Sequence, residues 1–363
     1  MTDLDPPAVP RPALAQIGAA WRQCRTTVVA ALSAIGVLVA VAVVAGIFAR
    51  RSGARTDFGG MCSRWYDGRG GCRPETALTL TGILALVLPV LLGAVVGVTT
   101  FSRRRVDHSS TPSFRAWYLA RVLTVFVPIS LAMTALGLAL GWARPDSTRP
   151  IRDYDAPRLE YPQFEISGLV TGGYTFLALM VGSTLALLLR RTVLPIMLTL
   201  IVMPIVLIAL PLAIRPHYAP ALTERQALNA ADRYEWSGWG DQLDHDGGWV
   251  IGGGYADAQG RTVDVRYSAC SGMLASTDSR HRAQAFDDCL RAQGADHYEV
   301  RYHRDSRYWR FQLTETALVL TLAGLLTVPA LWAARRVRAA SDLQRTHSRS
   351  SDDDSEPKKR HQE

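Results

Sequence analysis

Residues 192–214 read TVLPIMLTLIVMPIVLIALPLAI and contain no Asp, Glu, Lys, Arg or His. About 20 helical residues cross a bilayer core about 30 Å thick, so this stretch is long enough for a transmembrane helix. Five further windows share these properties, and the full set is 26–49, 76–102, 122–143, 166–189, 192–214 and 316–334. A soluble helix rarely needs even one such window. The sequence therefore predicts an α-helical polytopic membrane protein with six transmembrane helices.

The distribution of Lys and Arg predicts the orientation of these spans. The positive-inside rule places the short loops that are richer in Lys and Arg in the cytoplasm. With the N-terminus inside, the cytoplasmic segments hold seventeen of these residues, whereas the two short outer loops, 50–75 and 144–165, hold ten. We therefore expect a multi-pass plasma-membrane protein with both termini in the cytoplasm and the long polar segment outside.

The cysteines sort by compartment in this topology. Cys62 and Cys72 share the first outer loop, Cys270 and Cys289 share the large outer segment, and Cys24 lies inside. Because disulfides persist in an oxidising compartment, this sorting predicts two bridges, Cys62–Cys72 and Cys270–Cys289. The alternative is four free thiols.

The polar segment between the last two spans is long enough for a small core of its own. Residues 249–255 and 261–267 are expected to form two strands around the turn 256–260. An amphipathic helix is expected at 281–293, and alternation predicts a further strand at 298–303. This pattern predicts a small extracellular α+β domain between transmembrane helices five and six.

The chain is thus divided into five parts. A cytoplasmic N-terminus with an amphipathic helix precedes spans one to five, and the extracellular domain precedes span six and a disordered cytoplasmic tail. The predicted bounds are 1–25, 26–214, 215–310, 311–338 and 339–363. The alternative to a separate amphipathic helix is a simple extension of span one.

Several kinds of chemistry lack the residues that would support them. None of the six windows holds an ionisable group, so transport coupled to protons or sodium is not favoured. The only lysines, Lys358 and Lys359, lie in the tail, so a phosphate-binding loop is missing. The acidic group at 241–246 lacks the spacing of a calcium loop. We expect no catalytic residue, no metal and no cofactor. We also expect the excess basic residues to lie beside the lipid bilayer and not to bind nucleic acid.

Three motifs resemble one family. Residues 21–25 read WRQCR, residues 190–200 read RRTVLPIMLTL, and residues 307–316 read RYWRFQLTET. They are similar to the WRQ-x-R, LLRRTVPAMAVTL and RFWTFQWIETG motifs of the actinobacterial type-2 permeases of ATP-binding-cassette (ABC) exporters. One segment departs from the pattern, because residues 101–122 read FSRRRVDHSSTPSFRAWYLARV where the family has an acidic, Gly-containing stretch.

The resemblance implies a permease subunit that forms half of a dimeric path, as a homodimer or as a heterodimer with another permease. It also implies a separate cytoplasmic ABC ATPase subunit as a partner. The residues expected to contact that subunit follow span two, and they are Arg103, Arg104, Arg105, Phe114, Arg115 and Trp117. For the three consecutive arginines, the alternative is positive-inside anchoring alone.

A second group of candidate residues stands where the chain enters the membrane before the last span. The group consists of Trp309, Phe311, Gln312 and Glu315. Gln312 and Glu315 are three residues apart and share a helix face. The group is interpreted either as a structural anchor, since Trp is common at membrane interfaces, or as a gate or substrate contact.

The alternative function is a membrane sensor or envelope regulatory protein with an extracellular ligand-binding domain. A disulfide-bonded domain would suit this function. The cytoplasmic segments argue against it, because the longest is a tail without the composition of an output domain.

Overall fold

The computed structural model describes most of the predicted spans and part of the segment between the last two. The described residues are 13–52, 73–102, 114–143, 157–189, 192–226, 228, 248–270 and 279–332. Six helices among them are long and apolar enough to cross a membrane, which confirms the predicted fold class. From span one to span six they are Ala20–Arg51, Ala77–Phe101, Ala116–Ala143, Val170–Leu189, Val193–His217 and Asp305–Trp332.

The described part of the chain is mainly α-helical, with short π-helical and 3₁₀ turns. The α-helices are Ala13–Ser52, Arg73–Leu92, Val98–Ser102, Phe114–Arg121, Val127–Ala143, Gln163–Ile166, Val170–Leu189, Val193–Ala209, Tyr267–Cys270, Ser279–Ala292 and Tyr308–Leu325. The π-helical turns are Gly93–Gly97, Val122–Phe126 and Leu210–Ile214, and the 3₁₀ turns are Arg215–His217 and Asp305–Arg307. The first helix is continuous, so residues 13–25 extend span one instead of forming a separate amphipathic helix.

Span four is the centre of the bundle, and most of its side chains are buried. Glycines bring its backbone close to that of span two. A Cβ atom at Gly93 would lie 2.6 Å from the carbonyl oxygen of Ala178, and one at Gly97 would lie 2.7 Å from that of Leu179. Spans two and four therefore associate through small residues, as transmembrane helices do where lipid removes the hydrophobic driving force.

The two ends of the bundle are distinguished by their contacts. At one end, here called the N-terminal end, Gln23 of the first helix and Thr100 of span two both contact Arg121 of span three. At the opposite end, here called the domain end, Arg50 donates a hydrogen bond of 2.5 Å to the carbonyl oxygen of Trp142. The domain between spans five and six is attached at this second end.

The described part of this domain contains a three-stranded antiparallel sheet. Strand β1 is Leu222–Gln226, β2 is Trp249–Ala256 and β3 is His297–His303, in the order β1-β3-β2. Strands β2 and β3 and the helix Ser279–Ala292 confirm the elements predicted at 249–255, 298–303 and 281–293. Strand β1, which has the sequence LTERQ, has no apolar alternation and was not predicted.

The predicted strand at 261–267 is wrong. Thr262 makes an isolated bridge to Ala256, and the chain then leaves the sheet. The backbone N–H of Arg266 donates instead to the side-chain oxygen of Gln293, 2.8 Å away, just after the long helix of the domain. The chain is thereby drawn onto the helix, where it cannot continue a ladder with β2.

The predicted disulfide between Cys270 and Cys289 is confirmed. It also holds the chain that follows β2 against the long helix of the domain. It joins the end of a short helix to the long helix of the domain. Val265 packs there against a small core that includes Phe286 and Leu290. The apolar alternation at 261–267 therefore reflects burial against a helix.

Candidate functional site

Three ionisable residues border the apolar windows of the last three spans. Glu165 directly precedes the window of span four, Arg215 directly follows that of span five, and Glu315 directly precedes that of span six. The fold brings these residues together at the domain end of the bundle. We call Glu165, Arg215 and Glu315 the ion-pair cluster.

Arg215 holds both carboxylates of the cluster. Its Nε and Nη2 atoms each donate to an oxygen of Glu315 at 2.9 Å, which is the two-pronged geometry that suits a guanidinium and a carboxylate. Nη2 also donates to Oε1 of Glu165. The side chains of Arg215, Glu165 and Glu315 are 0, 1 and 0% exposed, so the ion pairs lie out of contact with bulk solvent.

Uncharged neighbours complete the surroundings of the cluster. Nη1 of Arg215 donates to the carbonyl oxygen of Leu159 at 3.2 Å. The guanidinium carbon lies 4.0 Å from the ring centre of Phe164, which is within cation–π range. The hydroxyl of Tyr174 donates to Oε1 of Glu315 at 2.6 Å. The guanidinium and Glu315 are therefore well satisfied.

Glu165 reaches the cluster because the chain folds back against the bundle before span four begins. Gly168 has φ +82°, a backbone conformation that favours glycine. Its N–H donates to the carbonyl oxygen of Gly137 in span three at 2.9 Å. A Cβ atom at Gly168 would lie 2.7 Å from Oε1 of Gln312. The turn thus requires glycine both for its backbone angle and for the space.

Gln312 ties this turn to span six. Its Oε1 accepts from the N–H of Val170 at 2.9 Å, and its Nε2 donates to the carbonyl oxygens of Ser167 at 2.9 Å and Phe164 at 3.1 Å. Gln312 and Glu315 share one helix face, as predicted. One side chain holds the turn before span four, and the other holds Arg215 at the end of span five.

The cluster contains one more acidic group than basic groups, because two carboxylates share a single guanidinium. Oε2 of Glu165 is buried and has no hydrogen-bond partner among the described residues. Burial raises the pKa of Glu165 to about 7, since the charged form loses its hydration. Arg215 opposes this rise, and Glu315 adds to it.

The four predicted gate or anchor residues do not share one environment. Trp309 is 51% exposed, and its role as an anchor at a membrane interface stays a prediction. Phe311, Gln312 and Glu315 are fully buried. These three side chains therefore make contacts within the protein, and they connect the domain end of span six to spans four and five.

Glu165 and Arg215 were not predicted as site residues. Each lies one position outside an apolar window, where an ionisable residue is ordinarily read as the solvated end of a span. The available signal was that ionisable residues border three windows at the same end of the bundle. Hydropathy alone carries no information on whether such residues meet.

Arg121 forms a second buried polar contact, at the N-terminal end. Its Nη1 donates to the carbonyl oxygen of Thr100, and its Nη2 donates to Oε1 of Gln23 at 2.8 Å. The guanidinium carbon lies 4.3 Å from the ring centre of Trp117, whose ring packs edge-on against Phe101. This contact joins the first helix to spans two and three.

Among the residues predicted to contact an ATPase, only Trp117 has a described side chain. It is half-buried and packs against Phe101 and Arg121. Phe114 and Arg115 begin the helix Phe114–Arg121, but their side chains lie outside the described part. The described residues do not include the three consecutive arginines Arg103, Arg104 and Arg105.

Two other predictions fall on residues that are not described. The predicted Cys62–Cys72 bridge lies outside the described residues, and so does the acidic group at 241–246. Within the described ranges, no group of three or more His, Cys, Asp or Glu is placed to hold a metal ion.

One comparison with known proteins gives a match. A family model described as ABC-2 membrane transporter related matches residues 27–215, just over half of the chain. The match covers spans one to five and ends at Arg215, so it includes two of the three cluster residues. No curated protein and no solved structure matches the chain.

Proposed function

The chain belongs to the ABC-2 membrane transporter related family, and we propose that it is the permease subunit of an ABC exporter. The observation that carries this proposal is the family match over five of the six spans. A separate cytoplasmic subunit hydrolyses the ATP in this proposal. The only lysines of the chain, at 358 and 359, lie after the last span, whereas a phosphate-binding loop places a Lys directly after a Gly-rich turn.

We place the N-terminal end of the bundle in the cytoplasm and the domain end outside the plasma membrane. The excess of Lys and Arg at the N-terminal end supports this orientation, and so does the Cys270–Cys289 disulfide in the domain, which suits an oxidising compartment. An impermeant maleimide should label a cysteine at the exposed Gln259 in intact cells. A cysteine at Ser109 should react only after permeabilisation, and the reverse pattern would exclude this orientation.

We place the ATPase contact in the segment after span two, at Arg103, Arg104, Arg105, Phe114, Arg115 and Trp117. The Arg121 contact supports this assignment, because it links this segment to the first helix through Gln23. A displacement of the segment would therefore move several helices together and bias the bundle between two packings. The permease forms half of the path in this proposal, with a second copy or another permease as the other half.

We place a gate at the domain end, with Gln312 and Glu315 as its closing contacts and Trp309 as its anchor. The buried contacts of these two polar side chains connect spans four, five and six. Opening the domain end would separate these spans and break the contacts.

Phe114→Ala is the sharpest test of the ATPase contact, since it keeps the number of positive charges. Trp117 is less suitable, because its ring also packs against Arg121 and Phe101. An aromatic hot spot at an interface is worth about 2 kcal/mol, so we expect transport and stimulated ATPase activity in proteoliposomes to fall about 30-fold. Leu119→Ala, at an exposed position on the same helix, is the matched control and should change neither.

Two outcomes would count against these assignments in different ways. Unchanged activity of the Phe114→Ala variant would show that the contact lies elsewhere. If no ATPase subunit purifies with the intact protein, the exporter proposal fails and the sensor becomes the better explanation.

A further inference from the structure

We propose that the ion-pair cluster is a proton-binding site in which Glu165 carries the proton while the cluster is closed. This role of Glu165 goes beyond the proposed function, and it does not depend on whether an ATPase drives the protein.

The closed cluster has more acidic than basic groups. Two ionised carboxylates and one guanidinium would leave one negative charge in a place that bulk water does not reach. An uncompensated buried charge is costly, and an acidic group in such a place takes up a proton instead. One bound proton makes the cluster neutral.

The unequal surroundings of the two carboxylates show which one carries the proton. Glu315 accepts both prongs of Arg215 and the hydroxyl of Tyr174, so its ionised form is stabilised by three donors. Glu165 accepts from Arg215 through Oε1 only, and its Oε2 has no partner among the described residues. Glu165 is therefore the carboxyl whose charged form is less well stabilised.

The other groups that face Glu165 do not supply a second positive charge. From the packed elements it faces Arg215 and Glu315, and the hydroxyls of Tyr161, Tyr174 and Tyr218 are its other titratable neighbours. The described side chains of spans two and three that lie near this turn are uncharged. Arg158 is engaged elsewhere, since its guanidinium carbon lies 4.4 Å from the ring centre of Tyr308.

A metal cation would be the alternative source of positive charge, but the geometry does not suit one. Calcium and magnesium are held by six or more oxygens, and the free carboxylate acceptor in the cluster is the single Oε2 of Glu165. A proton needs only that one oxygen.

The proton is held only while the three elements stay together. If the end of span five moved away from span six and from the turn before span four, water would enter and stabilise the ionised carboxylate. Glu165 would then release its proton at the domain end. Closing of the cluster is therefore linked to uptake of one proton, and a low pH on this side favours the closed arrangement.

Infrared spectroscopy of the full-length protein in lipid nanodiscs tests the proposal, because a protonated carboxyl has a C=O band that an ionised one lacks. The wild-type protein should show this band below the pKa of Glu165 and lose it above that pKa. Glu165→Gln, which keeps the size of the side chain, should lack the component of the band that titrates at the pKa of Glu165. The band of the solvent-exposed carboxyls, which take up protons at about pH 4, should remain. Glu160→Gln, five residues earlier in the same turn, is the matched control and should retain the component that Glu165→Gln lacks.

Glu315→Gln provides an independent readout. Without the second carboxylate, Glu165 becomes the only acidic partner of Arg215 and should ionise, so the band should disappear near neutral pH although Glu165 is intact. If the component that titrates at the pKa of Glu165 persists in the Glu165→Gln variant, or is unchanged in the Glu315→Gln variant, the proposal is overturned. A wild-type protein without this component, whose stability instead rises with sodium concentration, would also overturn it.

Discussion

Replacing Arg215 with Met is the most direct measure of what the ion-pair cluster contributes to stability. The change removes the cation and leaves Glu165 and Glu315 next to each other in the interior. Arg215 is 0% exposed and donates to both carboxylates and to the carbonyl oxygen of Leu159. Removing one partner of a buried ion pair costs about 3–5 kcal/mol, because the remaining charge is uncompensated. We expect a loss of this size at a pH above the pKa of Glu165.

Two further variants separate this explanation from a general effect of the substitution. Arg225→Met makes the same change at an exposed pair, where the arginine side chain is 66% exposed and lies 3.7 Å from Glu299. Exposed pairs contribute about 0–1 kcal/mol, so this variant should remain close to wild type. The triple variant Arg215→Met, Glu165→Gln, Glu315→Gln removes all three charges and should recover most of the lost stability.

The assay is denaturant unfolding of the purified full-length protein in mixed micelles, with the free energy of unfolding compared among the variants. If Arg215→Met lies within about 0.5 kcal/mol of wild type, the range of ordinary surface substitutions, the cluster is not an isolated buried ion pair. A triple variant that is less stable than Arg215→Met would show that the carboxylates stabilise the fold without their cation, which would contradict the charge argument.

Three other changes have expected outcomes in the same assay. Gly168→Ala should cost about 1–3 kcal/mol because of its φ of +82°, whereas Gly141→Ala, where the nearest atom lies 3.6 Å from the added Cβ, should stay within about 0.5 kcal/mol of wild type. The stability that protonated Glu165 contributes should be fully present below pH 4.5 and should be lost as the pH rises to about 7, because the folded protein binds the extra proton in this window. Within it, the free energy of unfolding should fall by about 1.4 kcal/mol per pH unit. This pH dependence should be absent in Glu165→Gln. Cys270→Ser should lose about 2–4 kcal/mol in the domain by breaking the bridge to Cys289, and a reductant should bring the wild-type protein to the same level.

The six spans are properties of local composition, which is why they follow from the sequence. Each window excludes ionisable residues over the length of a bilayer core, and a helix is the structure that satisfies its own backbone there. The same reasoning holds for the helix Ser279–Ala292 and for β3, whose apolar periodicities are local. The bridge between Cys270 and Cys289 could be proposed because the topology placed both cysteines in one segment.

Pairing between distant segments lies beyond such reasoning. Strand β1 has no apolar alternation, and it is a strand because β3 offers it a hydrogen-bonding partner. Residues 261–267 do alternate, yet they leave the sheet because Gln293 and the disulfide draw them onto a helix. In both cases the partner determines the structure more than the propensity of the segment does.

The sequence by itself determined that this is a six-span membrane protein, that it carries a small domain before its last span, and that Gln312 and Glu315 share a helix face. Only the tertiary structure decided that Glu165, Arg215 and Glu315 form one buried cluster, since Arg215 is 50 and 100 residues away from its two partners. Hydropathy describes each residue against lipid or water. The protonation of a carboxyl depends on the charges and donors within a few ångströms of it, and these are set by how the spans pack.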